Sequence, residues 1–255
     1  MEDDGWQQIH ATAFGAAAAE YERGRPSYPP QAFDWLLPTG VQRVLDLGAG
    51  TGKLTRQLHE RGLEVVAVEP SPQMRAELIR VLPGVRALAG TAENIPLPDG
   101  AVDAVLVAQA WHWVNVDKAV PEVARVLTQG GQLGLVWNER DERESWVAEL
   151  GQITRPSPDQ GTNYNNPNVG GPFGPLERTD VTWTHQLTRD ALLDMIASRS
   201  YIITASADER AKVLRSVRTL LDTHPALAGT DHLALPYITH CFRARLPRPT
   251  RVAKR

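Results

Sequence analysis

Residues 44–55 read VLDLGAGTGKLT: an apolar run carrying Asp46 that breaks into glycines at 48, 50 and 52. A strand that turns this tightly into a helix needs residues tolerant of positive φ, and the missing side chains let a ligand approach the backbone. No other stretch limits the fold as much, because it calls for a strand–turn–helix unit with a binding site at the strand's carboxyl end. The following residues repeat the alternation. RVLDLGA (43–49) and LEVVAVEP (63–70) read as buried strands, separated by a helix from Thr51 to Arg61 with Leu54 and Leu58 inward and Gly62 at its end. SPQMRAELIRVLPG is a helix with Met74, Leu78 and Val81 or Leu82 inward, VRALAG a third strand, TAENIPLPDG a loop and AVDAVLVAQA a fourth strand. Asp117 caps the helix KAVPEVARVLTQ, Pro121 falls in its first turn, Gly130–Gly131 closes it, and QLGLVWN is a fifth strand. Apolar strands alternating with helices make a parallel sheet covered on both faces.

Beyond Asn138 the pattern changes. ESWVAELGQI reads as a helix, and residues 155–175 carry so much Gly, Pro and Asn that a long loop is expected, a candidate lid. DVTWTHQL alternates like a half-buried strand, and Thr188 starts a helix through Ile196. SADE (206–209) is a capping box opening a helix to about Leu221, and HLALPYITHCFRARL is the final strand. Cys241 is alone among 255 residues, which excludes an internal disulfide and a thiolate metal cluster; no metal is expected. The formal charge of −3 gives no general attraction to nucleic acid or an anionic membrane, and neither is expected as a partner. The opening MEDDGWQQ is acidic where a secretory signal is basic, and AFGAAAA is too short to span a bilayer, so a cytoplasmic setting is expected. The basic stretch RARLPRPTRVAKR (243–255) reads as a solvated terminus rather than a site for an acidic partner.

Three ligand classes use glycine turns of this kind. A phosphate loop needs a glycine five residues before Gly-Lys and a Ser or Thr after the lysine; Leu47 and Leu54 occupy those positions. A dinucleotide site fits better, since Gly48 and Gly50 suit the turn and Glu69 ends the second strand 21 residues after Gly48, where a ribose-binding acid belongs. Its third glycine, however, should stand at 53, where Lys53 is found, and Asp46 would repel a pyrophosphate. A cationic nucleoside reverses that objection. S-adenosylmethionine has a ribose for Glu69, a sulfonium and an ammonium for Asp46 to face directly or through water, and no phosphate.

In these motifs the sequence resembles the class I S-adenosylmethionine-dependent methyltransferases, in the group that includes small-molecule and trans-aconitate-type enzymes. VLDLGAGTG matches their first motif, which implies backbone contacts from Gly48, Ala49 and Gly50 to the methionyl moiety. VVAVEPSPQM matches the second, implying Glu69 at the ribose hydroxyls with Pro70 and Met74 near the adenine. AGTAENIPLPDGAVDAVLVAQAWHW matches the third and fourth; Thr91 stands where the group often has an acid, leaving Ala92 or Glu93 as candidates at the adenine amine. YERGRPSYP (21–29) resembles an N-terminal motif of the group and carries over Tyr21, Arg25 and Tyr28 as a cover over the methionine end. SRSYI and LPYITHCFRARL also fit this group. The resemblance implies an α/β, Rossmann-like, doubly wound and mostly parallel seven-stranded sheet with helices on both faces and the last strand antiparallel. It implies one domain, with residues 1–40 covering the cofactor, 41–140 forming the cofactor-binding core, and 141–255 the substrate and lid region.

Methyl transfer from a sulfonium is an in-line displacement, so the protein's task is to align a nucleophile with the methyl carbon and exclude water. A hydroxyl acceptor must also give up a proton; a carboxylate need not. The acceptor belongs past the ends of strands four and five. AQAWHWVN (108–115) leaves strand four: Gln109 reaches the cofactor, Trp111 and Trp113 wall the acceptor site, and His112 is the candidate general base. A structural place between two tryptophans is the competing reading for His112. Trp137, Asn138 and Arg140 leave strand five as candidate substrate contacts. QAWHW lacks both the Asn/Asp-Pro-Pro-Tyr motif of exocyclic-amine methylases and the nucleophilic cysteine of a cytosine C5 methylase. The expected acceptor is a small organic molecule methylated at a hydroxyl or carboxylate oxygen, by a monomer or homodimer. A catalytically silent S-adenosylmethionine-binding protein and a nicotinamide oxidoreductase are the alternatives.

Overall fold

The computed structural model describes residues 26–154, 166–199, 202 and 205–248. In chain order its elements are α1 (Pro30–Leu36), β1 (Arg43–Leu47), α2 (Lys53–Glu60), β2 (Glu64–Val68), α3 (Pro72–Val81), β3 (Arg86–Leu88) and β4 (Val102–Ala108). After a short 3-10 turn (Trp111–Trp113) come α4 (Val116–Val126), β5 (Leu127–Arg140), α5 (Ser145–Thr154), β6 (Glu177–Thr188), α6 (Arg189–Ala197), α7 (Ala207–Thr223) and β7 (His232–Arg245). The strands form one seven-stranded sheet ordered β3-β2-β1-β4-β5-β7-β6. The pairs β1–β2, β1–β4, β2–β3 and β4–β5 are parallel. β7 is antiparallel to β5: the Leu246 N–H donates to the Gly131 carbonyl and the Asp141 N–H to the Pro236 carbonyl. This is the expected doubly wound sheet with an antiparallel last strand. Its order reverses between β1 and β4, and ligands of such sheets bind outside the strand ends at that switch.

The chain forms two compact units, and β5, β6 and β7 contribute residues to both. The first comprises the described parts of 30–137, 163–180 and 240–255. Its core gathers Leu45, Leu47, Val105, Val107, Leu133 and Leu135 from the parallel strands with Val123 and Val126 from α4. Glycine at 52 starts α2 with φ +93°, and a Cβ there would lie 2.9 Å from Leu78 Cγ, so this glycine lets α3 seat a fully buried leucine. Burying such a side chain is worth about 2 kcal/mol. Ser71 caps α3, its hydroxyl accepting the Met74 N–H, and Pro72 sits where its missing N–H costs nothing. The second unit comprises the described parts of 1–29, 138–162 and 181–239. There Val147 and Leu150 of α5, Leu192 and Ile196 of α6, and Val217 and Leu221 of α7 share a core. The expected starts of its helices stand: Thr188 accepts the Ala191 N–H, and Ser206 and Glu209 close a reciprocal capping box.

The region between β4 and β5 departs from expectation. Asn115, not Asp117, caps α4, its side chain accepting the Lys118 N–H, which moves Pro121 from the first turn into the helix interior. The helix stops at Val126 rather than running to Gly130–Gly131, and β5 begins at once at Leu127. Leu127 pairs with Val102 but Gln132 with Ala104, an irregularity that absorbs the extra residues, with Gly130 at φ +82°. Those glycines therefore bend a strand instead of ending a helix.

Candidate functional site

The switch-point turn is held by its own backbone. The Gly48 and Ala49 N–H groups both donate to the Val68 carbonyl at 2.9 and 3.1 Å. The Gly50 N–H donates to Glu69 Oε2 at 2.8 Å, and the Ser71 N–H to Glu69 Oε1 at 2.8 Å. Gly48 has φ +73°, and a Cβ added there would stand 2.9 Å from Ala110 Cβ, so the turn lies against the end of β4. The N–H groups of residues 48–50 are taken and the Ala49 carbonyl accepts the Gly52 N–H at 3.0 Å, so the turn has the Gly48 and Gly50 carbonyls to offer, and those suit a ligand rich in donors.

The two acids lie inside this arrangement. Asp46 is fully buried; its Oδ2 accepts the Thr55 hydroxyl at 2.5 Å, while Oδ1 has no hydrogen-bond partner among the described residues. Burial pushes its carboxyl up to about 7, the Thr55 bond opposes, and the Glu69 charge adds to the rise. Glu69 is also buried and its pKa raised by burial, against the pull of the Ser71 and Gly50 N–H groups. Two neighbouring buried acids, one with an orphan oxygen, are costly when both are charged, and a cation relieves that cost. Thr55, Ser71 and Arg75, whose guanidinium donates to the Glu69 carbonyl at 2.7 Å, support the acids and were not singled out in the sequence. Ser71-Pro72 carried a readable helix-start signal; Thr55 carried none by itself.

Around the acids, Met74 is buried in α3 with Gly50 beside its sulfur, and Pro70 is exposed. Thr91 is exposed and forms a bridge with Asn94, Ala92 is buried in the core, and Glu93 Oε1 accepts the Asn115 N–H at 2.8 Å. Gln109, directly after β4, has φ +57°, a non-glycine left-handed residue of the kind that strained binding sites hold, and its N–H donates to the Val136 carbonyl. The aromatic residues then divide. Trp111 is buried in the core and donates from Nε1 to the Asn168 carbonyl at 2.8 Å, so it braces the 166–170 segment. Trp113 keeps 39% of its surface exposed. Trp137 is buried edge-on against Phe242 and donates from Nε1 to His112 Nδ1 at 3.4 Å. Indole N–H only donates, so Nδ1 is the acceptor and the neutral imidazole carries its proton on Nε2. Burial depresses the His112 pKa to about 4.

Tyr28, Asn138 and Arg140 belong to the second unit. Tyr28 is buried, the Asn138 amide donates to the Ser27 carbonyl at 3.0 Å, and Arg140 is buried with Nη2 on Thr154 Oγ1 at 2.9 Å. Tyr21, Arg25, residues 155–165 of the expected lid and residues 249–255 lie outside the described residues. Of the remaining lid stretch, Val169 is buried in the core of the first unit.

Buried acids at the carboxyl ends of β1 and β2, beside the strand-order switch of a doubly wound α/β sheet, suit a positively charged ligand. Residues 45–135 match the family model described as "Methyltransferase domain". The chain is 59% identical over 234 residues to an uncharacterized methyltransferase of Mycobacterium bovis, covering 92% of this chain and 96% of that protein. A methyltransferase-like protein of Schizosaccharomyces pombe, also uncharacterized, is 35% identical over 246 residues with the same coverage. A solved structure from Anaeromyxobacter dehalogenans, assigned as a type II methyltransferase, shares the fold at TM-score 0.67 and 24% identity, over 88% of this chain and 99% of that one. The chain belongs to the class I S-adenosylmethionine-dependent methyltransferases. Its cofactor is S-adenosylmethionine, and the buried Asp46 Oδ1, an acceptor lacking a donor among the described residues, fits that cation.

Proposed function

We propose that this methyltransferase acts on an oxygen of a small organic molecule, and that this oxygen reaches the site already ionised, as a carboxylate or an acidic phenol. One observation carries the reading: His112 Nδ1 accepts from the buried Trp137 indole, in a ring too weakly basic to take a proton near neutrality. A hydroxyl acceptor needs a base at that position; an oxyanion needs a donor, and a neutral ring with its proton on Nε2 is a donor.

The roles divide accordingly. The cofactor supplies an electrophilic methyl carbon. Asp46 balances its positive charge, Glu69 receives the ribose hydroxyls, the carbonyls of Gly48 and Gly50 take donors of the methionyl end, and Met74, Pro70 and residues 91–93 flank the adenine. Gln109 orients the cofactor at the end of β4. His112 holds the acceptor oxygen from Nε2–H, and Trp113 gives the acceptor an exposed apolar wall, with Trp137 as the support of His112.

The test is turnover with S-adenosylmethionine against carboxylic acids, phenols, sugars and amines. Methyl esters or aryl methyl ethers are the expected products. Methylation of sugars or amines alone contradicts the reading, and binding of S-adenosylhomocysteine without turnover of any acceptor class points to a silent cofactor-binding protein.

A further inference from the structure

Residues 91–100 leave β3 at the strand end next to Glu69, whose N–H donates to the Leu88 carbonyl. Ligands of such sheets lie beyond these strand ends, so this loop walls the crevice on the side of Glu69. It is fastened to α4 at both of that helix's ends. At the first, Glu93 Oε1 accepts the N–H of the capping residue Asn115. At the other, Glu122 Oε2 accepts the Ile95 N–H at 2.9 Å. Arg125 donates from Nη2 to the Ile95 carbonyl at 2.9 Å and from Nη1 to the Leu97 carbonyl at 2.7 Å and to Asp99 Oδ1 at 3.0 Å. The same guanidinium forks onto Glu122 at 2.7 and 2.8 Å. An ion pair this exposed contributes little stability alone. Its geometry matters more: one planar group fixes the Ile95 and Leu97 carbonyls while its partner fixes the Ile95 N–H.

We propose that Arg125, supported by Glu122, is a positioning residue for the cofactor's nucleoside end, setting affinity through the loop without touching the ligand. The inference rests on the cofactor assignment and is independent of the acceptor.

The experiment is calorimetric titration of the full chain with S-adenosylhomocysteine and with adenosine, comparing wild type, Arg125→Ala and Arg43→Ala at a temperature where circular dichroism shows each folded. Arg43 pairs with Asp103 at the amino ends of β1 and β4, far along the strands from their carboxyl ends, and serves as the control. Displacing a wall by a fraction of an ångström is expected to weaken both ligands about tenfold or more in R125A, with R43A within about twofold of wild type. Unchanged affinity in R125A, or an equal loss in R43A, overturns the proposal. Should R125A fail to fold, Glu122→Gln decides, since it keeps an oxygen for Ile95 while weakening the fork. About threefold weaker binding supports positioning, and unchanged binding overturns it. A wild-type chain that binds neither ligand overturns the cofactor assignment itself.

Discussion

The two strand ends facing each other across the β1/β4 switch are built from different materials. At β1 and β2 the chain holds itself: N–H groups of residues 48–50 go to Val68 and Glu69, and the side chains used are short acids and hydroxyls. At β4 the chain passes through left-handed Gln109 into Trp-His-Trp, and long aromatic side chains reach partners distant in sequence. A backbone-built site admits few alternatives, since only glycine and an acid at set spacings make it. A side-chain-built site changes its ligand whenever one partner changes. In the function proposed above, the first kind holds the cofactor and the second the acceptor.

The comparison breaks most visibly at Asp46. Asp46→Asn leaves the turn intact but removes the charge, and S-adenosylhomocysteine should bind about 30- to 150-fold more weakly, a loss of about 2–3 kcal/mol, by calorimetry. The same variant should be the more stable apoprotein above pH 7, by about 1–2 kcal/mol in urea unfolding, because a buried charge with one orphan oxygen is gone. Equal losses of binding and stability would put Asp46 in the scaffold instead.

The next effect is one of pH. Because the folded carboxyl titrates near 7 instead of its ordinary 3.8, the fold binds a proton that the unfolded chain has released. The apoprotein therefore loses stability as pH rises from about 4 to about 7, and a cationic ligand must expel that proton. Affinity for S-adenosylmethionine should rise about tenfold per pH unit up to about pH 7 and level off above, and D46N should flatten the profile. Glu69, also raised, contributes at the acid end.

At the aromatic end the effects are smaller and fall on turnover. His112→Gln should lower kcat about tenfold, the worth of one hydrogen bond to an oxyanion, with cofactor affinity unchanged. The wild-type kcat should stay flat from pH 6 to 8, whereas a falling acid limb near neutrality that His112→Gln removes would reveal a base. Trp113→Ala should raise acceptor KM a few-fold, about 0.5–1 kcal/mol, with a smaller effect on thermal stability than a core tryptophan would have, because the residue keeps 39% of its surface exposed.

The same contrast explains what the sequence disclosed. Strands, the caps at Ser71, Thr188 and Ser206, and the Asp46–Gly48–Glu69 constellation were legible because local rules produce them. The capping of α4 by Asn115 was missed because Asp117 offers an equally good cap two residues on. Trp111 was expected to wall the acceptor site, yet its indole is committed to Asn168, and no local pattern announces such a pairing. Glu93 had been a candidate for the adenine amine; its Oε1 holds Asn115, a contact that exists only once α4 has packed.

The central claim is that a buried acid beside the glycine turn selects a cationic nucleoside over a pyrophosphate. Side-by-side calorimetric titration of the wild-type chain with S-adenosylhomocysteine and with NAD tests it directly. Micromolar binding of the first and no heat from the second is expected; tight NAD binding with none of the homocysteine nucleoside would contradict it.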